Sequence, residues 1–86
     1  MAIYVHELLE DLREGLDSVD LHILKAHLLG VKHEWGISFS KDFLENPAVA
    51  DGVTSYSFSV YHEKEKILDL VLKINAVVVL DVVKIY

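Results

Sequence analysis

Residues 1–20 carry six acids against the single base Arg13, a balance of −5 out of a total of −6 for the chain. Their spacing is as informative as their number. Val5, Leu8, Leu9, Leu12 and Leu16 fall at i, i+3, i+4, i+7 and i+11, which is one helical stripe. Glu7, Glu10, Asp11 and Glu14 then lie on the opposite face, interrupted only by Arg13. Like charges three or four residues apart cost a helix a few tenths of a kcal/mol each, and Glu14 stands at the end where the helix dipole disfavours an acid. A helix shaped by stability alone would alternate signs here. One reading is a docking face for a basic partner, because clustered charge speeds encounter and sets specificity. The other is a solvated face that keeps a half-apolar chain in solution.

The remaining chemistry-bearing residues form no recognisable constellation. The five histidines are His6, His22, His27, His33 and His62. A helical metal site needs histidines at i, i+4 or a His-Glu-x-x-His run, and neither occurs. His22 and His33 share a helical meridian but stand about 16 Å apart, at about 1.5 Å of rise per residue. No metal or cofactor is therefore expected. Nucleophilic catalysis has no cysteine and no Gly-x-Ser-x-Gly elbow to work with. Ser38, Ser40, Ser55, Ser57 and Ser59 alternate with apolar residues, as the wet face of strands does. Gly15, Gly30, Gly36 and Gly52 are too dispersed for a phosphate loop. The paired carboxylates sit on the exposed helix face, without a visible means of tuning them for acid–base work. No catalytic residue is assigned and the chain is read as non-catalytic.

Nucleic acid is excluded as the main partner by the acidic balance. Lys25 and Lys32 share one side of the second helix but are too few for a phosphate footprint, and no base interleaves Tyr56, Phe58 and Tyr61.

These residues need elements to hold them. Eighty-six residues, 52% apolar and without cysteine, make one domain whose core must come from packing alone. Such a chain buries only roughly 60–65% of its unfolded surface, so oligomerisation would widen a thin margin. The periodicity predicts a first helix over 4–14, ended by Gly15 with Leu16 as the hydrophobic contact. Asp17 and Ser18 offer N-caps for a second helix, with Asp20 in its first turn. Its seam is Leu21, Leu24, Leu28, Val31 and Trp35, and Gly30 places its end within 29–34.

The period then changes to two. Residues 36–40 read as a short strand, 40–46 as one helical turn capped by Ser40 and stopped before Pro47, and 48–52 as loop. Residues 53–61 form a strand with Tyr56, Phe58 and Val60 inward. Residues 62–66 are a charged turn. From Lys66 to Ile85 the β-branched content favours strand over helix, and the length favours two strands broken near Asn75; one long bent strand is the alternative. Pairing Phe58 with Leu70 and Val60 with Leu68 puts His62 opposite Lys66 and leaves a three-residue loop.

The expected fold is α+β, with two N-terminal amphipathic helices on one face of a three- to four-stranded antiparallel sheet, a two-layer sandwich. Val77, Val79 and Val83 oppose Val78, Leu80 and Val82, so the last strand is apolar on both faces. A second copy, a partner or the 41–52 segment must cover the surplus. Self-association through Val77, Val79 and Val83, most simply as a twofold dimer, is expected.

Ile67–Val83 is long enough to raise a membrane span, but Asp69, Lys73, Asn75 and Asp81 are each costly at a bilayer centre. The opening MAIYVHELLEDL lacks the basic region and apolar run of a signal peptide, so a cytoplasmic setting is expected.

Three functions follow. The leading one is a non-catalytic protein-binding module, such as an inhibitor, immunity protein or antitoxin-like adaptor. It would dock a basic partner through Glu7, Glu10, Asp11 and Glu14. The second is a structural or assembly subunit, for instance of a virion, built through the valine strand. The third is a ligand-binding or enzymatic dimer with Trp35, Tyr56, His33 and His27 around a pocket between helix and sheet.

Overall fold

The computed structural model describes residues 3–86. Helix α1 spans Val5–Arg13 and buries Leu8, Leu9 and Leu12. Glu14 closes it in an extended conformation and Gly15 follows at φ 92, so glycine supplies the left-handed residue that the leucine stripe needs to turn away. Helix α2 spans Leu21–Trp35 and buries Leu24, Leu28 and Val31. Its N-cap is Asp20, whose carboxylate accepts from the His22 amide at 2.9 Å. Asp17 and Ser18 do not hold that position. Ser18 Oγ instead accepts from the Asp20 amide, bracing the cap from outside. The helix also runs straight through Gly30 to Trp35, beyond the expected end. Gly36, at φ 64, is the residue that stops it, its amide bonding to the Lys32 carbonyl.

Five antiparallel strands follow, rather than three or four: β1 (Ser38–Phe39), β2 (Ala48–Ala50), β3 (Val53–His62), β4 (Glu65–Ile74) and β5 (Val78–Ile85). The sheet order is β1-β3-β4-β5, with β2 also on β3. β1 pairs near the end of β3 (Phe39 with Val60) and β2 near its start (Ala50 with Val53). Residues 48–52 are therefore a hairpin strand and its turn, not a loop. Asp51 and Gly52 both take positive φ, 52 and 76, which is the geometry of a two-residue turn matched to strand twist. The 40–46 segment is not helical. The Ser40 hydroxyl accepts from the Ser59 amide on β3 instead of capping a helix, and Leu44 and Asn46 sit at positive φ. Two successive turns result, closed by Phe43 to Ser40 and Glu45 to Asp42 backbone bonds.

The long C-terminal stretch is two strands, broken at residues 75–77. Phe58 pairs with Leu70 and Val60 with Leu68, as the hydrophobic pattern requires. The connection differs from expectation. His62 pairs with Glu65, not Lys66, and the loop has two residues, Glu63 and Lys64, both at positive φ. The core register demands an odd loop, whereas strand twist favours an even one. A bulge satisfies both: Tyr61 pairs with Lys66 while Val60 pairs with Leu68, leaving Ile67 unpaired. A second bulge leaves Val83 unpaired between β4 and β5.

One core joins the layers. Leu8, Leu12, Leu24 and Leu28 from the helices meet Tyr56, Phe58, Val60, Leu68, Leu70, Leu72 and Leu80 from one sheet face. Phe43 and Leu44 close one end, with Phe43 stacked on Phe39 at 4.4 Å and edge-on to Phe58 at 5.1 Å between ring centroids.

Candidate functional site

The contact between α1 and α2 is polar along its rim. His27 Nε2 lies 3.1 Å from the Asp11 carbonyl and 3.2 Å from that of Leu12. Both are acceptors, so that nitrogen carries the proton, and the imidazole satisfies the carbonyl end of α1. Gly15 is required beside it, since a β-carbon there would stand 3.1 Å from the ring. Eight residues further along α2, the Trp35 indole N–H donates to Asp11 Oδ2 at 2.7 Å. Asp11 thus meets α2 at both ends, through its backbone and its side chain.

Two open depressions flank this seam. One, of ≈ 500 Å³, is lined by Asp11, Glu14, Ala26, His27, Gly30, Val31 and Glu34. The other, of ≈ 520 Å³, includes Tyr4, Glu7, Trp35 and His62 and shares Asp11 and Glu34 with the first. Together they make an acidic groove between the helices. Of the expected docking residues, Glu7, Asp11 and Glu14 line it. Glu10 is exposed but lines neither depression; helical spacing turns it toward the flank that carries Arg13. Glu34 is the acid that the sequence reading missed. It adjoins the seam residue Trp35, and only the docking of α1 on α2 brings it beside Asp11.

These carboxylates are unneutralised. The two ion pairs among the described residues are Lys66–Asp69 and Lys73–Asp81, both on the sheet. Arg13, the one cation of α1, points elsewhere: its Nε and Nη2 donate to the Leu80 carbonyl at 3.1 and 3.0 Å.

The other singled-out residues are dispersed. Trp35 and His27 border the interhelical groove, Tyr56 is buried in the core, and His33 lines a separate depression with Leu29, Lys32, Gly36 and Ile37. They do not surround one pocket between helix and sheet. Among the described residues no group of three or more His, Asp or Glu side chains is arranged to hold a metal ion. No helix among them is long and apolar enough to cross a membrane.

Val77, Val79 and Val83 are 66%, 44% and 64% exposed. They occupy different settings. Val77 is in the β4–β5 turn, Val79 faces Lys73 across the ladder, and Val83 is the bulge residue. The 41–52 segment does not cover them; its Phe43 and Leu44 enter the core instead.

Ser59 and Asp69 define a second polar cluster, between β3 and β4. Ser59 Oγ donates to Asp69 Oδ1 at 2.6 Å, and the Tyr86 hydroxyl donates to Asp69 Oδ2. Lys66 Nζ is 3.7 Å from Oδ1, and Lys84 lies over the Tyr86 ring at 4.6 Å. The Ser59 and Tyr86 hydrogen bonds hold the Asp69 carboxyl below its ordinary value, with help from Lys66 and Lys84. The same bond to Asp69 pushes the Tyr86 phenol up. The cluster fastens the last residue to the sheet.

Fold and site together define a small α+β protein with an acidic interhelical groove and an uncovered apolar strand. The chain matches no protein-family model, no curated protein and no solved structure.

Proposed function

We propose that this protein is a non-catalytic, cytoplasmic protein-binding module that docks a basic partner in the groove between α1 and α2. An inhibitor, immunity or antitoxin-like adaptor is the niche that such a surface fits. The observation that carries the reading is the convergence of Glu7, Asp11, Glu14 and Glu34 on one groove without a lysine or arginine among its lining residues. Holding like charges together lowers helix stability, and complementary charge on a partner relieves it while steering association.

The test is affinity capture from host lysate at low and high salt. The triple variant Glu7→Lys, Glu14→Lys, Glu34→Lys loses a basic protein that the parent retains at low salt, while its circular dichroism is unchanged. Glu10→Lys, outside the groove, keeps most of the capture. Equal capture by parent and triple variant overturns the reading.

A second reading is favoured by the exposure of Val77, Val79 and Val83: self-association through β5, as a dimer or as a subunit of a larger assembly. Its signature is a concentration-dependent particle size, abolished by Val79→Lys.

A further inference from the structure

The half of the groove next to Trp35 differs from a plain acidic surface, because aromatic rings build part of its wall. Tyr4 and Trp35 line this ≈ 520 Å³ notch together with Glu7, Asp11, Glu34 and His62. A notch of this size is large enough to take a long side chain. It presents three carboxylates with no lysine or arginine among the residues that line it. Aromatic rings attract cations through their quadrupole, and carboxylates beside them add direct charge pairing.

The geometry around Asp11 selects among cations. Trp35 Nε1 holds Asp11 Oδ2 at 2.7 Å, so the carboxylate is fixed next to the indole. Its other oxygen, Oδ1, is not used in that bond. A planar cation can lie against an aromatic ring and donate in its own plane to an adjacent carboxylate edge. A guanidinium does this with a fork of N–H donors, whereas an ammonium is a compact, strongly hydrated point charge. Asp11 and Trp35 are both partly buried, which lowers the local dielectric and the ordering cost of the site.

We propose that the notch formed by Tyr4, Trp35, Glu7, Asp11 and Glu34 is a binding site for an arginine side chain of the partner protein. The proposal rests on the docking reading above and deepens it: the groove supplies general attraction, and this notch supplies the anchor residue. Arginine in a pocket of aromatic and acidic side chains is a typical energetic centre of an interface.

Trp35 is the only tryptophan, so its indole N–H gives a single NMR resonance that reports on the notch. The probes are acetyl-Gly-Arg-Gly-amide and acetyl-Gly-Lys-Gly-amide, titrated into the full-length protein at low salt. The arginine peptide moves the Trp35 indole resonance saturably, and the lysine peptide binds about three-fold or more weakly. Glu34→Gln weakens the arginine peptide by about three- to five-fold, the loss expected for one partly screened charge pair. Tyr4→Ala weakens it to a similar degree while the indole resonance stays in its folded position. Glu34 is on the last turn of α2, where an acid opposes the helix dipole, so its replacement does not endanger the fold.

An unresponsive indole resonance, equal affinity for the two peptides, or full binding by both variants overturns the arginine site. Salt-sensitive capture of a basic protein by the parent in the same week's lysate, with an unresponsive indole, overturns the notch alone and leaves the groove reading standing. Loss of both overturns both.

Discussion

Gly15 and Asp69 show how single residues fix this molecule. Gly15 sits at φ 92 with the His27 ring 3.1 Å from where a β-carbon would be. Alanine there meets backbone strain and a crowded imidazole at once, and that imidazole satisfies the end of α1. Gly15→Ala is expected to cost about 1–2 kcal/mol, read as a lower urea midpoint with an unchanged slope. An unaltered midpoint means that α1 ends by some other device. Asp69 makes a prediction in pH. Its folded-state value is lowered from 3.8, chiefly by the Ser59 and Tyr86 hydrogen bonds. A lowered carboxyl contributes stability that is complete above the unfolded value and is lost as pH falls through the folded one. Acid unfolding of the parent should therefore steepen below about pH 4, and Asp69→Asn should flatten that limb while leaving the histidine region unchanged. Tyr86 works in the opposite direction, since its raised phenol favours the folded state until pH climbs past 10.0, the ordinary value, and through the folded one. Acid profiles of parent and Asp69→Asn that superimpose would remove the cluster from the stability account.

Among the elements, helices and turns test two kinds of backbone economy. Gly30 lies inside α2, and a β-carbon there would meet nothing within 4 Å. Gly30→Ala should therefore stabilise the fold by about 0.5–1 kcal/mol, visible as a raised melting temperature. Because Gly30 also lines the acidic groove, the same variant should dock its partner less tightly if the partner approaches the backbone there. The β3–β4 turn offers the complementary case. Glu63 and Lys64 adopt φ 52 and 68, which Asn-Gly takes with far less strain. Replacing the pair with Asn-Gly should raise stability by about 1 kcal/mol without moving the core register. Much of this level was legible in the chain. The apolar spacings Leu8, Leu9, Leu12 and Leu24, Leu28, Val31 predict both buried stripes, and alternation at Tyr56, Phe58 and Val60 predicts the pairing with Leu70 and Leu68. Other features needed longer-range information. Gly30 looks like a stop because local propensity disfavours it, and the seam that continues to Trp35 outweighs that cost. The Asp51–Gly52 pair was a readable hairpin signal, but three small exposed residues before it carry little strand pattern. The bulge at Ile67 is invisible locally, since it arises only when core register and turn twist compete. The candidate groove divides in the same way: Glu7, Asp11 and Glu14 follow from helical spacing, while Glu34 joins them through tertiary docking alone.

At the scale of the whole molecule, the accessible surface is 5603 Å², somewhat above the roughly 5,200 Å² expected for a folded chain of this mass. The excess accompanies an extended shape, 40 × 20 × 20 Å, and the exposed valines of the β5 region. β5 also ends the sheet, so its outer side carries backbone groups without a strand partner. Arg13 attends to one of them. Its guanidinium donates twice to the Leu80 carbonyl, and because neighbouring residues of a strand point their backbone groups to opposite sides, Val78 and Val82 present theirs to the same open edge as Leu80. The cation thus occupies the middle of the Val78–Val82 stretch of this edge. In the self-association reading, edge and face then have separate roles: the edge is guarded, and any contact between copies falls to the exposed side chains of Val79 and Val83. Two substitutions separate these roles. Arg13→Ala frees the Leu80 carbonyl, costs about 1 kcal/mol in stability, and should produce large, polydisperse aggregates by light scattering at concentrations where the parent is monodisperse. Val79→Lys should do the reverse, shifting the sedimentation of a concentrated sample toward the monomer while the unfolding free energy measured in dilute solution stays within about 0.5 kcal/mol of the parent. If Arg13→Ala remains as monodisperse as the parent, the guanidinium is only a tether between α1 and β5. If Val79→Lys leaves a concentration-dependent size unchanged, the copies meet through some surface other than the valine strand.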